Sequence, residues 1–195
     1  MSYVRPFKPL VFAVCLLPLV YLLLSAFEVA GLGLGTNPVE ELLHELGRWG
    51  LKFLLLTLAV TPVRRWTGWS WLVRYRRMLG LFSFFYLLLH FLVYAVLDQG
   101  LDPGLIVEDI LKRPYITLGM AGLLMMVPLA ATSTKAMMRK LGKRWKSLHR
   151  LVYVIAILGV WHFYWQVKLD TLQPLVYASI LAVLLISRIR PRKRR

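Results

Sequence analysis

Six apolar runs, each close to the length of one bilayer crossing, alternate along this chain with short polar segments. A helix needs roughly 20 mostly apolar residues to span the hydrocarbon core. The runs lie at 9–27, 42–63, 78–97, 115–131, 148–167 and 174–186. Lipid offers the backbone no hydrogen-bond partners, so such runs are read as helices that satisfy their own N–H and C=O groups. The second run is the least clean, with His44, Glu45, Arg48 and Lys52 in its first half, and the last is short unless Leu172 or Ile189 extends it. The expectation is an all-α integral membrane protein, a six-helix transmembrane bundle forming a single domain over 1–195. Hydrophobic residues make up 58% of the chain and charged residues 17%, too few charges to cover a soluble surface of this size. The runs use most of the 195 residues, which leaves no sizeable soluble domain.

A formal charge of +16 raises the possibility of nucleic-acid binding, but the distribution of that charge argues against it. With the N-terminus on the cytoplasmic side, 20 of the 25 Lys and Arg residues fall inside: Arg5 and Lys8, the 64–77 loop, the 135–150 loop and the 188–195 tail. All nine acidic residues then fall outside. Lys/Arg enrichment in cytoplasmic loops is the positive-inside pattern, so both termini are expected in the cytoplasm. The basic loops are read as topology determinants and contacts for anionic membrane lipid, with no nucleic acid as partner. In 64–71, charges alternate with tryptophans, which anchor at membrane–water interfaces.

Cys15 is the only cysteine and lies in the first run, so it is read as packed or lipid-facing filler; no disulfide or covalent haem-attachment motif is present. That run resembles a signal-peptide core, but its length and Glu28, which spoils the cleavage pattern near Ala30, favour a retained helix. Glycines 31, 33 and 35 lead to Asn37 and Pro38, expected as cap and first residue of the second helix. Residues 98–114 read as an outer loop with a turn at Asp102-Pro103-Gly104, and 170–173 as another. No internal repeat stands out.

Few polar groups lie at membrane depth, so the histidines draw attention. His90 and His162 sit deep in otherwise apolar helices, where an ionisable group is costly. At 1.5 Å per residue, His90 lies roughly 10 Å and His162 roughly 8 Å from the outer ends of their helices. Two imidazoles at matched depth can bind one metal from both sides. Without cysteine ligands, the iron of haem b is the candidate, held with both axial positions filled and suited to electron transfer. The alternative is that each histidine only hydrogen-bonds to a neighbouring helix. His149 lies 13 residues before His162, roughly 20 Å away and about 220° around a straight helix, so a local bulge would be needed to align the two rings. His44, Arg48 and Lys52, spaced i, i+4, i+8, are read as one polar stripe lining the bundle interior, with Arg48 as a possible contact for haem propionates.

Longer motifs carry a resemblance. Arg76-Arg-Met-Leu-Gly-Leu81 running on to His90, Lys112-Arg-Pro-Tyr-Ile-Thr-Leu-Gly119, Ala131-Thr-Ser133, the segment from Leu141 through His149 to Tyr153, and His162 followed by Trp165-Gln-Val-Lys168 together resemble the bacterial MsrQ (YedZ) family. That family is the haem-binding membrane subunit of the periplasmic protein-methionine-sulfoxide reductase system. The resemblance covers about Gly31 to Ile186 and implies a ferric-reductase-like transmembrane domain in the bacterial inner membrane. It implies electrons taken from the quinone pool, or from a cytosolic flavin reductase, and passed through haem b to the periplasmic molybdenum subunit MsrP. FMN is also associated with the family. By the same resemblance His90 and His162 match the outer haem ligands of the superfamily and His149 the inner one. The inner partner would fall near Arg76 or Arg77, which leaves that half of the pair missing and room for a flavin or quinone beside Arg76, Arg77 and His149. The competing readings are a transporter or proton channel with intramembrane histidines, and a membrane anchor with no cofactor.

Overall fold

A computed structural model describes residues 7–167 and 171–188. The expectations for Arg5, Lys168, Asp170, Ile189 and residues 190–195 lie outside the described residues. The helices are α1 (Phe7–Ala26), α2 (Pro38–Thr67), α3 (Arg76–Val93), α4 (Pro103–Lys112), α5 (Pro114–Ala131), α6 (Lys135–Leu141), α7 (Lys143–Leu148), α8 (Leu151–Gln166) and α9 (Leu172–Ile186). A π-helical turn, Tyr94–Asp98, extends α3. Five segments are long and apolar enough to cross a membrane: α1, α2, α3 with its π turn, α5, and α7 with α8. The sixth, α9, is apolar but only 15 residues long, about 22 Å of rise against a hydrocarbon core of about 30 Å. The chain is a multi-pass all-α membrane protein.

The termini of α2 follow from its residues. Asn37 caps it by accepting from Glu40 N at 3.4 Å, Pro38 opens it, and Gly68 closes it at φ 76° with its N–H on Arg64 O. This matches the expected cap, but α2 runs four residues beyond the apolar run at each end. The expected 98–114 loop is corrected: it contains α4, started by the Asp102 carboxylate accepting from Gly104 N at 2.8 Å and Leu105 N at 3.2 Å. The helix is amphipathic. Ile106 and Ile110 are half-buried, while Val107 and Leu111 stay exposed.

Because the helices alternate in direction, the bundle has two ends. The acidic end carries Glu40, Asp98, Asp102 and Glu108; the basic end carries Arg64, Arg76, Arg77, Lys143 and Arg188. The closest helix pairs are α2 with α3 and α5 with α8. One buried core joins α2, α5, α8 and α9 around Leu54, Leu58, Met126, Ile155 and Leu181. A second joins α1, α2 and α3 around Leu22, Phe53, Phe82 and Tyr86, and contains Cys15 as packed filler.

Near two of the prolines inside helices, side chains bond to neighbouring backbone groups. Beside Pro18, the fully buried Tyr86 hydroxyl accepts from Leu19 N at 3.1 Å and donates to Cys15 O at 2.9 Å, inserting α3 into the ladder of α1. Pro62 has no N–H for the carbonyl four residues back, Leu58 O. Arg188, from the end of α9, donates to that carbonyl and to the Tyr153 hydroxyl.

Candidate functional site

The α2–α3 and α5–α8 pairs bring the His90 and His162 rings close together. Their ring centroids are 6.1 Å apart and their planes 81° apart. His90 Nδ1 lies 2.8 Å from Leu43 O, and His162 Nδ1 lies 2.6 Å from Tyr115 O. A carbonyl can only accept, so in each ring Nδ1 carries the proton and Nε2 keeps its lone pair. Neither Nε2 has a hydrogen-bond partner among the described residues. Two imidazoles on opposite sides of one metal, with metal–nitrogen bonds of roughly 2 Å, place their ring centres about 6 Å apart. The observed centroid distance of 6.1 Å accords with that value.

Both rings line a cavity of about 760 Å³. Its walls include Leu51, Leu87, Phe91, Leu123 and Phe163, and polar groups stand among them: His44, Arg48, Arg113 and Gln166. That size and mixture fit a prosthetic group. No cluster of three or more His, Cys, Asp or Glu able to hold a metal occurs among the described residues. Two imidazoles cannot complete a coordination shell alone, so the donor set fits a metal that arrives with its own equatorial nitrogens, as in a porphyrin.

The expected polar stripe on α2 is corrected at one position. His44 and Arg48 line the cavity; Lys52 does not, and instead lies over the Trp49 ring at 4.1 Å. Eight residues carry a helix about 80° past two full turns, enough to take Lys52 off the face of His44. His44 Nε2 lies 2.7 Å from Gln166 Nε2, and Arg48 pairs with Glu45 at 2.5 Å while its buried Nε has no partner.

His149 does not join this pair. It lines a second cavity, of about 430 Å³, toward the basic end with Arg76, Arg77, Arg150, Tyr153 and Arg188. Its ring stacks on Trp145 at 3.8 Å, its Nδ1 lies 3.1 Å from Trp145 O, and its buried Nε2 has no partner. Arg77 is tied to Ser133 O at 3.3 Å and to the Met138 sulfur at 3.0 Å. The irregularity found here is not the bulge that would align the two rings. The helix breaks between α7 and α8, with Arg150 N on Ser147 O and Tyr153 N on Arg150 O, both at 3.1 Å, so a tight three-residue step replaces the regular one. Leu54 borders both cavities.

No internal repeat stands out in the sequence, but the structure relates the two helix pairs position by position. Leu43, Gly47 and His90 recur as Tyr115, Gly119 and His162, each displaced by 72 residues, and the two histidines bond to carbonyls 47 residues upstream. At the same offset, Leu46, Gly50 and Leu51 recur as Leu118, Gly122 and Leu123, and Phe91 recurs as Phe163. The carbonyl partners had no signal in side-chain identity; the offset relates one acceptor to the other once either is known.

With this geometry in hand, comparison with known proteins is informative. Residues 46–160, which contain His90 and His149, match the family described as ferric reductase like transmembrane component. A protein-methionine-sulfoxide reductase heme-binding subunit MsrQ of Rhodospirillum rubrum is 54% identical over 186 residues, covering 95% of this chain and 88% of that protein. The MsrQ of Bordetella pertussis is 52% identical over 181 residues, covering 91% and 86%. The chain belongs to the MsrQ family. The MsrQ resemblance read from the sequence motifs is therefore correct, as is the ferric-reductase-like fold.

Proposed function

We propose that this chain is a haem b-containing electron-transfer subunit of a protein-methionine-sulfoxide reductase system in the bacterial inner membrane. The observation that carries this reading is the His90–His162 pair, at shared-metal spacing with both Nδ1 atoms engaged and both Nε2 atoms free. Haem bound between them would supply one-electron transfer. His90 and His162 would hold the iron, and the Leu43 and Tyr115 carbonyls fix their tautomers. The apolar walls exclude water, and Arg48 and Arg113 offer cationic partners for propionates. The charge pattern assigns 20 of the 25 Lys and Arg residues to the inner side, so both termini face the cytoplasm and the cavity of His90 and His162 serves the periplasmic partner, an MsrP-type molybdenum reductase acting on oxidised envelope proteins.

The basic-end cavity is the entry side. Arg76 and Arg77 suit an anionic or carbonyl-bearing electron source, a quinone from the pool or a flavin such as FMN served by a cytosolic flavin reductase, and His149 Nε2, left as an acceptor because Nδ1 donates to Trp145 O, suits a hydroxyl or N–H of its reduced form. The test is an absorption spectrum with haem quantified as pyridine haemochrome, on the wild type and on the four His→Ala variants. Near-complete loss is expected for His90→Ala and His162→Ala, partial or no loss for His149→Ala, and little change for His44→Ala. A colourless wild-type protein, made with ample haem supply, would return the intramembrane histidines to a transporter or channel role.

A further inference from the structure

In an α-helix each Cα–Cβ bond tilts toward the N-terminus, so the side chain at position i+4 covers the carbonyl of residue i. Leu43 O, which receives His90, lies four residues before Gly47, and Tyr115 O, which receives His162, lies four residues before Gly119. A Cβ added at Gly47 would stand 3.1 Å from His90 Nδ1 and 3.2 Å from Cε1. One added at Gly119 would stand 2.9 Å from His162 Nδ1 and 3.0 Å from Cε1. Each imidazole thus occupies the space a side chain would fill, and reaches a carbonyl that only glycine leaves uncovered. The arrangement occurs twice, on two helices, at the same spacing.

We propose that Gly47 and Gly119 are positioning residues for the haem iron, each holding one helix carbonyl open as the acceptor for an axial imidazole. This rests on the haem reading above. The open carbonyl sets the ring's tautomer and plane, and by accepting from Nδ1–H it makes Nε2 a stronger donor, which favours the oxidised iron. A methyl group at either glycine pushes the ring off its carbonyl and weakens that donation. The imidazole cannot simply yield, because it is held by its own helix and by the metal.

The experiment uses the full chain purified in detergent, as wild type, Gly47→Ala and Gly119→Ala, with haem content, midpoint potential and the ferric EPR spectrum recorded. Ring planes 81° apart should give the wild type a strongly anisotropic low-spin signal. Gly119→Ala, with the closer approach, should lose haem affinity on the order of tenfold. Its remaining haem should shift to a more positive potential. Gly47→Ala should move the same way by less. Full haem with wild-type potential and EPR spectrum in Gly119→Ala would overturn the proposal. If neither variant folds, the wild-type spectrum decides, because a signal of parallel imidazole planes overturns it equally. A wild type without haem is a different outcome, which removes the haem reading itself.

Discussion

The two cavities of this bundle are built on one framework and furnished for different chemistry. The cavity toward the acidic end has an imidazole from each helix pair, both Nδ1 atoms engaged and both Nε2 atoms without partners. The cavity toward the basic end has one imidazole, and the 72-residue offset that maps His90 onto His162 maps Arg77 onto His149. A guanidinium has no lone pair to give a metal, but it binds anions and carbonyls with charge-assisted hydrogen bonds. On the proposed reading, one substituted side chain separates a metal-holding site from an anion-receiving one. The flanking arginines at positions 76, 150 and 188 reinforce the difference.

The largest effect that tests this contrast is the difference between His162→Ala and His149→Ala. The first should abolish the Soret band and the second should leave most of it; equal loss in both would erase the distinction between the sites. Next is Arg188→Met, which strips the Leu58 carbonyl of its partner below Pro62. Leaving that group unsatisfied should cost about 1–3 kcal/mol, read as a lower thermal midpoint in detergent, with the haem spectrum unchanged once folded. An altered spectrum would mean that the basic end controls the acidic-end cavity. Arg77→Gln should slow haem reduction by quinol or reduced flavin roughly tenfold, the loss of one charge-assisted hydrogen bond, while dithionite-reduced spectra stay the same. A lost spectrum with intact protein would refute its assignment to the electron source. The smallest effect belongs to Lys52→Gln. It removes a cation–π contact outside both cavities, and should change stability by no more than about 1 kcal/mol and haem content not at all.

Particular residues mark how far sequence reading reached. The apolar runs identified the helices because a bilayer forces internally bonded backbone. His90 and His162 were recognisable as a pair because depth follows from counting residues along a helix. The bundle then placed them 6.1 Å apart, a distance no count along the chain could supply. Helix α4 escaped notice because ten residues with Asp102-Pro103-Gly104 at their head read as a turn. Lys52 was placed on the cavity face by spacing alone, before 80° of rotation and the Trp49 ring drew it elsewhere. The acceptors for the two imidazoles were hidden because they are backbone carbonyls, and a sequence does not show which carbonyl is left uncovered.

By itself the chain's order of residues determined a membrane-spanning helical protein with a strongly polarised charge distribution, two histidines, His90 and His162, at matched depth, and the MsrQ motifs. Those properties depend on local periodicity and on partition between water and lipid, which each segment expresses alone. Only the tertiary structure decided that the His90 and His162 rings stand 6.1 Å apart, which backbone carbonyl each ring bonds to, and that a Cβ at Gly47 or Gly119 would crowd them. Such relations depend on the rotation and packing of one helix against another, and are fixed by contacts between segments far apart in the chain.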